Sequence, residues 1–133
     1  MVNCIVCGHG NFATGLESSV KLLAGEAPAV KYVDFTQDLS QDTLCDKFEE
    51  VYNSFTDASS VVILTDIVGG TPFKTAVTFS LSHENVYVIS GTNLPLMLQV
   101  AISNLDDENI KDQLNEMISS SKEAMFMFDK DSF

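Results

Sequence analysis

"SVVILTDIVGGTPFKTAVTFSLS", residues 60 to 82, runs from an unbroken β-branched and apolar stretch through two glycines into a segment with helical spacing. The first part, "SVVILTD" (60–66), lacks polar alternation, so it fits a strand covered on both faces, as in a parallel sheet. The last part, "TPFKTAVTFSLS" (71–82), puts Pro72 in a helix's first turn, where a missing N–H leaves no bond unmade. A strand leading straight into a helix is the unit of a crossover fold, and the rest of the chain repeats it. Further strands are expected over 2–7 ("VNCIVC"), 30–35 ("VKYVDF") and 86–90 ("VYVIS"). Helical stripes run through Phe12, Leu16, Val20 and Leu23, then through Leu44, Phe48, Val51 and Phe55. Residues 94–104 give a fourth helix, and Ile110, Leu114, Met117 and Ile118 a fifth. "AMFMF" (124–128) reads as a closing strand, with a helical tail as the alternative for so short a run.

Strands and helices taking turns argue for a doubly wound α/β fold: a mainly parallel four-stranded sheet, order 2-1-3-4, with right-handed crossovers and helices on both faces. The 133 residues, 45% of them hydrophobic, suit one compact domain, 1–133. A formal charge of −12 with no basic stripe sets nucleic acid aside as a partner. The N-terminal apolar run is short, no basic leader precedes it, and no stretch approaches the roughly 20 apolar residues of a membrane span, so a cytoplasmic location is expected. Cys4 and Cys7 resemble half a zinc site without a second pair, and their odd spacing on a strand points them to opposite faces. With Cys45 they read as small buried hydrophobes, and no metal site is expected.

In doubly wound sheets, ligands bind beyond the carboxyl ends of the strands, where strand order reverses. The stretches to search are "GHGNF" after the first strand, "DIVGGTPF" after the third and "GTNLP" after the fourth. Gly8 and Gly10 are expected to let the backbone turn and leave His9 uncrowded. In the order 2-1-3-4, strands 1 and 3 are neighbours, which sets Asp66 beside His9. A carboxylate accepting from one ring nitrogen fixes the tautomer and leaves the other nitrogen free to attack. Gly69 and Gly70 permit close backbone approach, and the Thr71 region opens a helix whose N–H groups favour an anion. A serine hydrolase lacks its G-x-S-x-G elbow here, and His83, just before strand 4, belongs to the opposite rim. Neither a Walker A loop nor a G-x-G-x-x-G fingerprint is present, which turns attention from a nucleotide to a protein as phosphate donor.

"GHGNFATG", "LTDIVGGTPF" and "ISGTNLPLML", in this order and spacing, resemble the IIA component of the mannose family of the bacterial phosphoenolpyruvate-dependent sugar phosphotransferase system, over essentially the whole chain. The resemblance implies that His9 accepts phosphate from the histidine-containing phosphocarrier protein and passes it to the IIB component, serving membrane IIC and IID components indirectly. It makes Asp66 the histidine-orienting aspartate and Thr71 a hydroxyl donor to the phosphoryl oxygens, and it calls for no cofactor. Gly10, Phe12, Pro72, Phe73, Thr92 and Asn93 are expected around the pocket. It also implies a homodimer exchanging a C-terminal strand, which gives "AMFMF" a place. The same motifs look closest to the branch for N-acetylgalactosamine and related amino sugars, beside mannose, fructose, sorbose and gluconate systems. One departure is Cys7-Gly8, where some relatives carry an extra Thr or Ser before the histidine. A small-ligand-binding regulatory module and a hydrolase are the readings of other classes.

Overall fold

The computed structural model describes residues 2–57 and 59–132. Four strands, β1 (Asn3–His9), β2 (Val30–Phe35), β3 (Val61–Thr65) and β4 (Val86–Ile89), form one sheet in the order β2-β1-β3-β4. Every pairing is parallel. Five helices alternate with them: α1 (Phe12–Ala24), α2 (Gln41–Ser54), α3 (Thr71–Leu81), α4 (Leu94–Ile102) and α5 (Ile110–Glu123).

Both faces of the sheet are covered, and the period-2 alternation of β1 shows how. Cys4 and Val6 pack into one core with Ala13 and Val20 of α1, Leu96, Met97 and Val100 of α4, and Ile110 and Leu114 of α5. Ile5 and Cys7 point the other way, into a second core with Leu44 and Phe48 of α2 and Ala76 and Phe79 of α3. The three-residue offset between Cys4 and Cys7 therefore separates them as expected. Both are buried, and burial pushes the Cys4 thiol well above the ordinary range. Cys45 is half-buried, and all three cysteines are free.

Several boundaries move. β1 runs two residues further than expected, so His9 is its last residue and not part of the loop beyond. Leu23, in the last turn of α1, is exposed and falls outside the buried stripe. Phe55 lies just past α2 yet still packs on the second core. Met97 is fully buried core.

The expected closing strand does not form within the single chain. Residues 125–129 adopt neither strand nor helix, and a short 3₁₀ turn, Lys130–Ser132, follows. Met125, Phe126, Met127 and Phe128 are all exposed. A strand exists only through its ladder, and among the described residues of one chain this run meets no partner strand.

Candidate functional site

The site grows from the seam between β1 and β3. Their ladder ends at the pair Cys7 and Thr65, whereas on its other side β1 stays paired with β2 as far as His9 and Phe35. Past that point the chain after β3 leaves the sheet, and the Asp66 side chain takes over the ladder. Asp66 Oδ2 accepts the backbone N–H of His9 at 2.8 Å and meets the ring Nδ1 at 2.7 Å, while Oδ1 accepts the Ile67 N–H at 2.9 Å. The seam is where strand order reverses, the crevice that doubly wound sheets use for ligands.

Burial alone pushes the Asp66 carboxyl up. The hydrogen bonds from the His9 backbone, the His9 ring and the Ile67 N–H outweigh it, so its pKa falls below the ordinary carboxylate value. Asp66 is therefore ionised at neutral pH and can only accept, which requires the proton on Nδ1 of His9. Nε2 is left with its lone pair, on a side chain that is 47% exposed.

Two further contacts fix the plane of the ring. The Phe35 ring meets the imidazole edge-on, with centroids 5.9 Å apart at 83°. On the other side stands Gly70: a Cβ added there would lie 2.6 Å from Cε1 of His9 and 3.3 Å from Nε2. No side chain larger than hydrogen fits without moving the ring. Gly10 turns the chain out of β1 at φ +58°, and its N–H is held by the Phe35 carbonyl at 2.8 Å. Gly8 works differently from the expected turn: it lies within β1, and an added Cβ would sit 2.4 Å from the Phe12 ring.

Beyond Gly70 begins α3. Gly70 is its N-cap, no side chain caps it, and the first intrahelical bond runs from the Lys74 N–H to the Gly70 carbonyl at 2.9 Å. The N–H groups of Thr71 and Phe73 thus lie in the turn that the helix itself cannot pair, and Pro72 contributes none. A helix start without a side-chain cap, with its capping glycine beside a ring nitrogen, suits an anion carried on that nitrogen.

The other expected pocket residues lie at the same end of the sheet with different bonds. Phe12 packs half-buried on the first core, Pro72 is buried and Phe73 half-buried. Thr92 is buried, with its N–H on the Thr65 carbonyl at 3.0 Å and its hydroxyl without a partner among the described residues. Asn93 caps α4 through the Leu96 N–H at 3.0 Å and donates to the Ser121 carbonyl at 2.9 Å. Sequence reasoning passed over the end of β2, where Asp34 and Phe35 join the rim. The residue pattern "VDF" at a strand's carboxyl end was the available sign.

The chain matches the family model described as "PTS system fructose IIA component" over residues 3–118. The chain belongs to the EIIA-man family. A fructose-specific EIIA component of the phosphotransferase system of Bacillus subtilis is 30% identical, over 93% of this chain and 84% of that protein. The mannose-specific EIIAB component of Escherichia coli is 27% identical over 94% of this chain, which spans only 39% of that longer protein. The crystal structure of an EIIA component from Streptococcus agalactiae superposes with a TM-score of 0.87 at 29% identity, covering 96% of this chain and 98% of that one. As a IIA component of the sugar phosphotransferase system, this EIIA-man protein is a phosphotransferase that carries a phosphoryl group on histidine and passes it on. Such components take phosphate from the histidine-containing phosphocarrier protein and give it to IIB. Among the described residues no helix is long and apolar enough to cross a membrane, and no group of side chains suited to a metal occurs.

Proposed function

We propose that His9 is the phosphorylated histidine and that Nε2 is the nitrogen used. The observation that carries this reading is the 2.7 Å contact of Nδ1 with Asp66, which leaves Nε2 facing the start of α3. The Nε2 lone pair attacks phosphorus on the donor's phosphohistidine, the donor N–P bond breaks, and its electron pair stays on the donor imidazole. Positioning and charge stabilisation do most of the work in such transfer. Asp66 holds Nδ1–H and supports the positive charge that develops on the ring, while Gly69, Gly70 and Thr71, with the N–H groups of the first turn of α3, receive the phosphoryl oxygens. The group carries a charge near −2 and stands close to Asp66 in an acidic chain, which keeps it transferable to IIB.

The cargo of the whole system is proposed to be N-acetylgalactosamine or a related amino sugar, on the likeness of the three motifs to that branch. The relatives' names cover fructose, mannose and sorbose, and a IIA component does not touch the sugar. The protein works in the cytoplasm as a homodimer in this reading. Supporting the dimer are the four consecutive exposed apolar side chains of 125–128 and the β4 edge of the sheet, where a cavity of about 360 Å³ lies between β4 and α5. The β4 edge of a second copy would give that run the partner strand it does not meet among the described residues of its own chain.

Labelled phosphoenolpyruvate and the two general phosphotransfer proteins test the site. Wild-type protein should take up acid-labile, alkali-stable phosphate on Nε2, and His9→Ala should take up none. Asp66→Asn should fold and accept phosphate on the order of 10²- to 10⁴-fold more slowly, since an amide can hold the wrong tautomer. Label on another residue, or on Nδ1, would contradict the assignment. Faster onward transfer to the IIB of a fructose system than to that of an amino-sugar system would overturn the proposed cargo.

A further inference from the structure

Two helices open beside His9, and their first turns are treated in opposite ways. α3 starts on a glycine with no cap. α1 starts on Asn11, whose side chain makes no cap bond either, yet one N–H of its first turn is taken by a carboxylate from another element. Asp34, near the end of β2, accepts the Thr14 N–H through Oδ1 at 3.0 Å and the Thr14 hydroxyl through Oδ2 at 2.6 Å. Thr14 is the third residue of α1, so its N–H is one that the helix cannot pair.

Asp34 stands next to the reacting strand. Its Cα pairs with Gly8 in the ladder, one position before the pair of His9 with Phe35. Asp66 flanks the end of β1 from the β3 side and Asp34 from the β2 side. The Cys7 thiol between them registers both: burial, then Asp66, then Asp34 push it up to about 12.

We propose that Asp34 is a positioning residue for the phosphoryl group, because its carboxylate occupies the Thr14 N–H and sets a negative charge at the N-terminus of α1, leaving the N-terminus of α3 as the favoured cradle beside His9. This inference rests on the phosphocarrier reading of His9. A doubly charged group flanked by two open helix ends is drawn to both, and any tilt toward α1 takes the N–P bond out of line with an incoming acceptor. A neutral cap would satisfy the Thr14 N–H equally well; α2 and α4 are capped by Ser40 and Asn93 in that way. A carboxylate adds charge that turns an anion away.

Asp34→Asn keeps an oxygen for Thr14 and removes the charge, while Thr14→Ala removes one hydrogen bond and keeps the charge. The phosphohistidine of Asp34→Asn should hydrolyse, and pass its phosphate to IIB, about two- to fivefold more slowly than wild type, the scale of one helix-end charge interaction. Thr14→Ala should lower Tm and leave the phosphohistidine half-life unchanged. A wild-type half-life in Asp34→Asn would make Asp34 a structural cap and overturn the proposal. A second measurement needs no phosphohistidine. Inorganic phosphate titrated onto the unphosphorylated protein should shift the amide resonances of Thr71 and Phe73 and leave that of Thr14 in place. In Asp34→Ala the Thr14 amide should respond as well; a silent Thr14 there would also overturn the proposal. A wild-type chain that takes no label would fail the phosphocarrier reading, and the phosphate titration would then decide the role of Asp34 alone.

Discussion

The chain's two histidines make the same kind of bond and do different things. His9 and His83 each bring Nδ1 to an acceptor, Asp66 at 2.7 Å in one case and the Phe79 carbonyl at 2.9 Å in the other. Around His83 everything else is packing: its ring stacks on Phe79 with centroids 4.1 Å apart at 17°, and Tyr52 closes edge-on at 4.7 Å. Its Nε2 lies 3.8 Å from Glu49, and the side chain is 19% exposed against 47% for His9. His83 ties the C-terminal end of α3 to α2, whereas His9 lies across from that helix's N-terminal end. A hydrogen bond on one nitrogen is therefore common to both and decides nothing. What separates them is the freedom of the other nitrogen and the end of the helix it faces.

Exchanging which histidine is lost should give the largest contrast. His9→Ala should abolish phosphate acceptance and leave Tm nearly unchanged, since its ring lies at the surface. His83→Ala should take label at the wild-type rate. It should lose roughly 1–3 kcal/mol of stability, the sum of a hydrogen bond and an aromatic stack, read by denaturant unfolding. Label lost from His83→Ala in a folded protein would erase the distinction.

Much of this was legible in the residues. The β-branched runs and the 3.6-residue stripes led to the parallel sheet in its order 2-1-3-4, because covered strands and amphipathic helices leave periodicities that differ. His9, Asp66 and Gly70 could be found because the search rule names the carboxyl ends of strands and the order makes β1 and β3 adjacent. Three things were not legible. The extension of β1 to His9 depends on β2 continuing the ladder, which is a tertiary fact. The part Asp34 takes at Thr14 joins residues 20 apart through a side chain, and no local pattern announces it. The 124–128 run has strand composition, but what it pairs with is set by tertiary or quaternary contacts that composition does not carry.

Crowding the ring's open side should give the next effect. Gly70→Ala puts a methyl group 2.6 Å from Cε1 and 3.3 Å from Nε2 of His9. The imidazole has to swing away from α3 or pull on its bond to Asp66. Phosphate acceptance should fall on the order of ten- to a hundredfold, as displacement of about 1 Å from in-line geometry does. His9→Ala with Gly70→Ala should be little less stable than His9→Ala, because once the ring is gone the remaining tight contact, Cγ2 of Ile67 at 3.1 Å, belongs to an exposed side chain that can shift. Unimpaired acceptance in Gly70→Ala would show that the ring is held less tightly than its contacts indicate.

The smallest effect belongs to the acceptor itself. Asp66 titrates below the ordinary carboxylate value although burial opposes it, because three hydrogen bonds favour its charged form. A carboxyl depressed in the folded state contributes stability that is fully present above its unfolded pKa, about 3.9, and is lost as the pH falls through the depressed value. The grip of Asp66 on His9 should therefore be constant across the neutral range and fail only in strong acid. His9→Ala removes the ring bond and keeps the backbone bond, so the Asp66 midpoint, followed by carboxyl carbon NMR, should rise toward the ordinary value. A midpoint unmoved by that substitution would mean that the backbone N–H groups hold the carboxylate by themselves. The His9 ring would then be an accessory to a turn that Asp66 makes in any case, and the resemblance of the two histidines would be closer than their surroundings suggest.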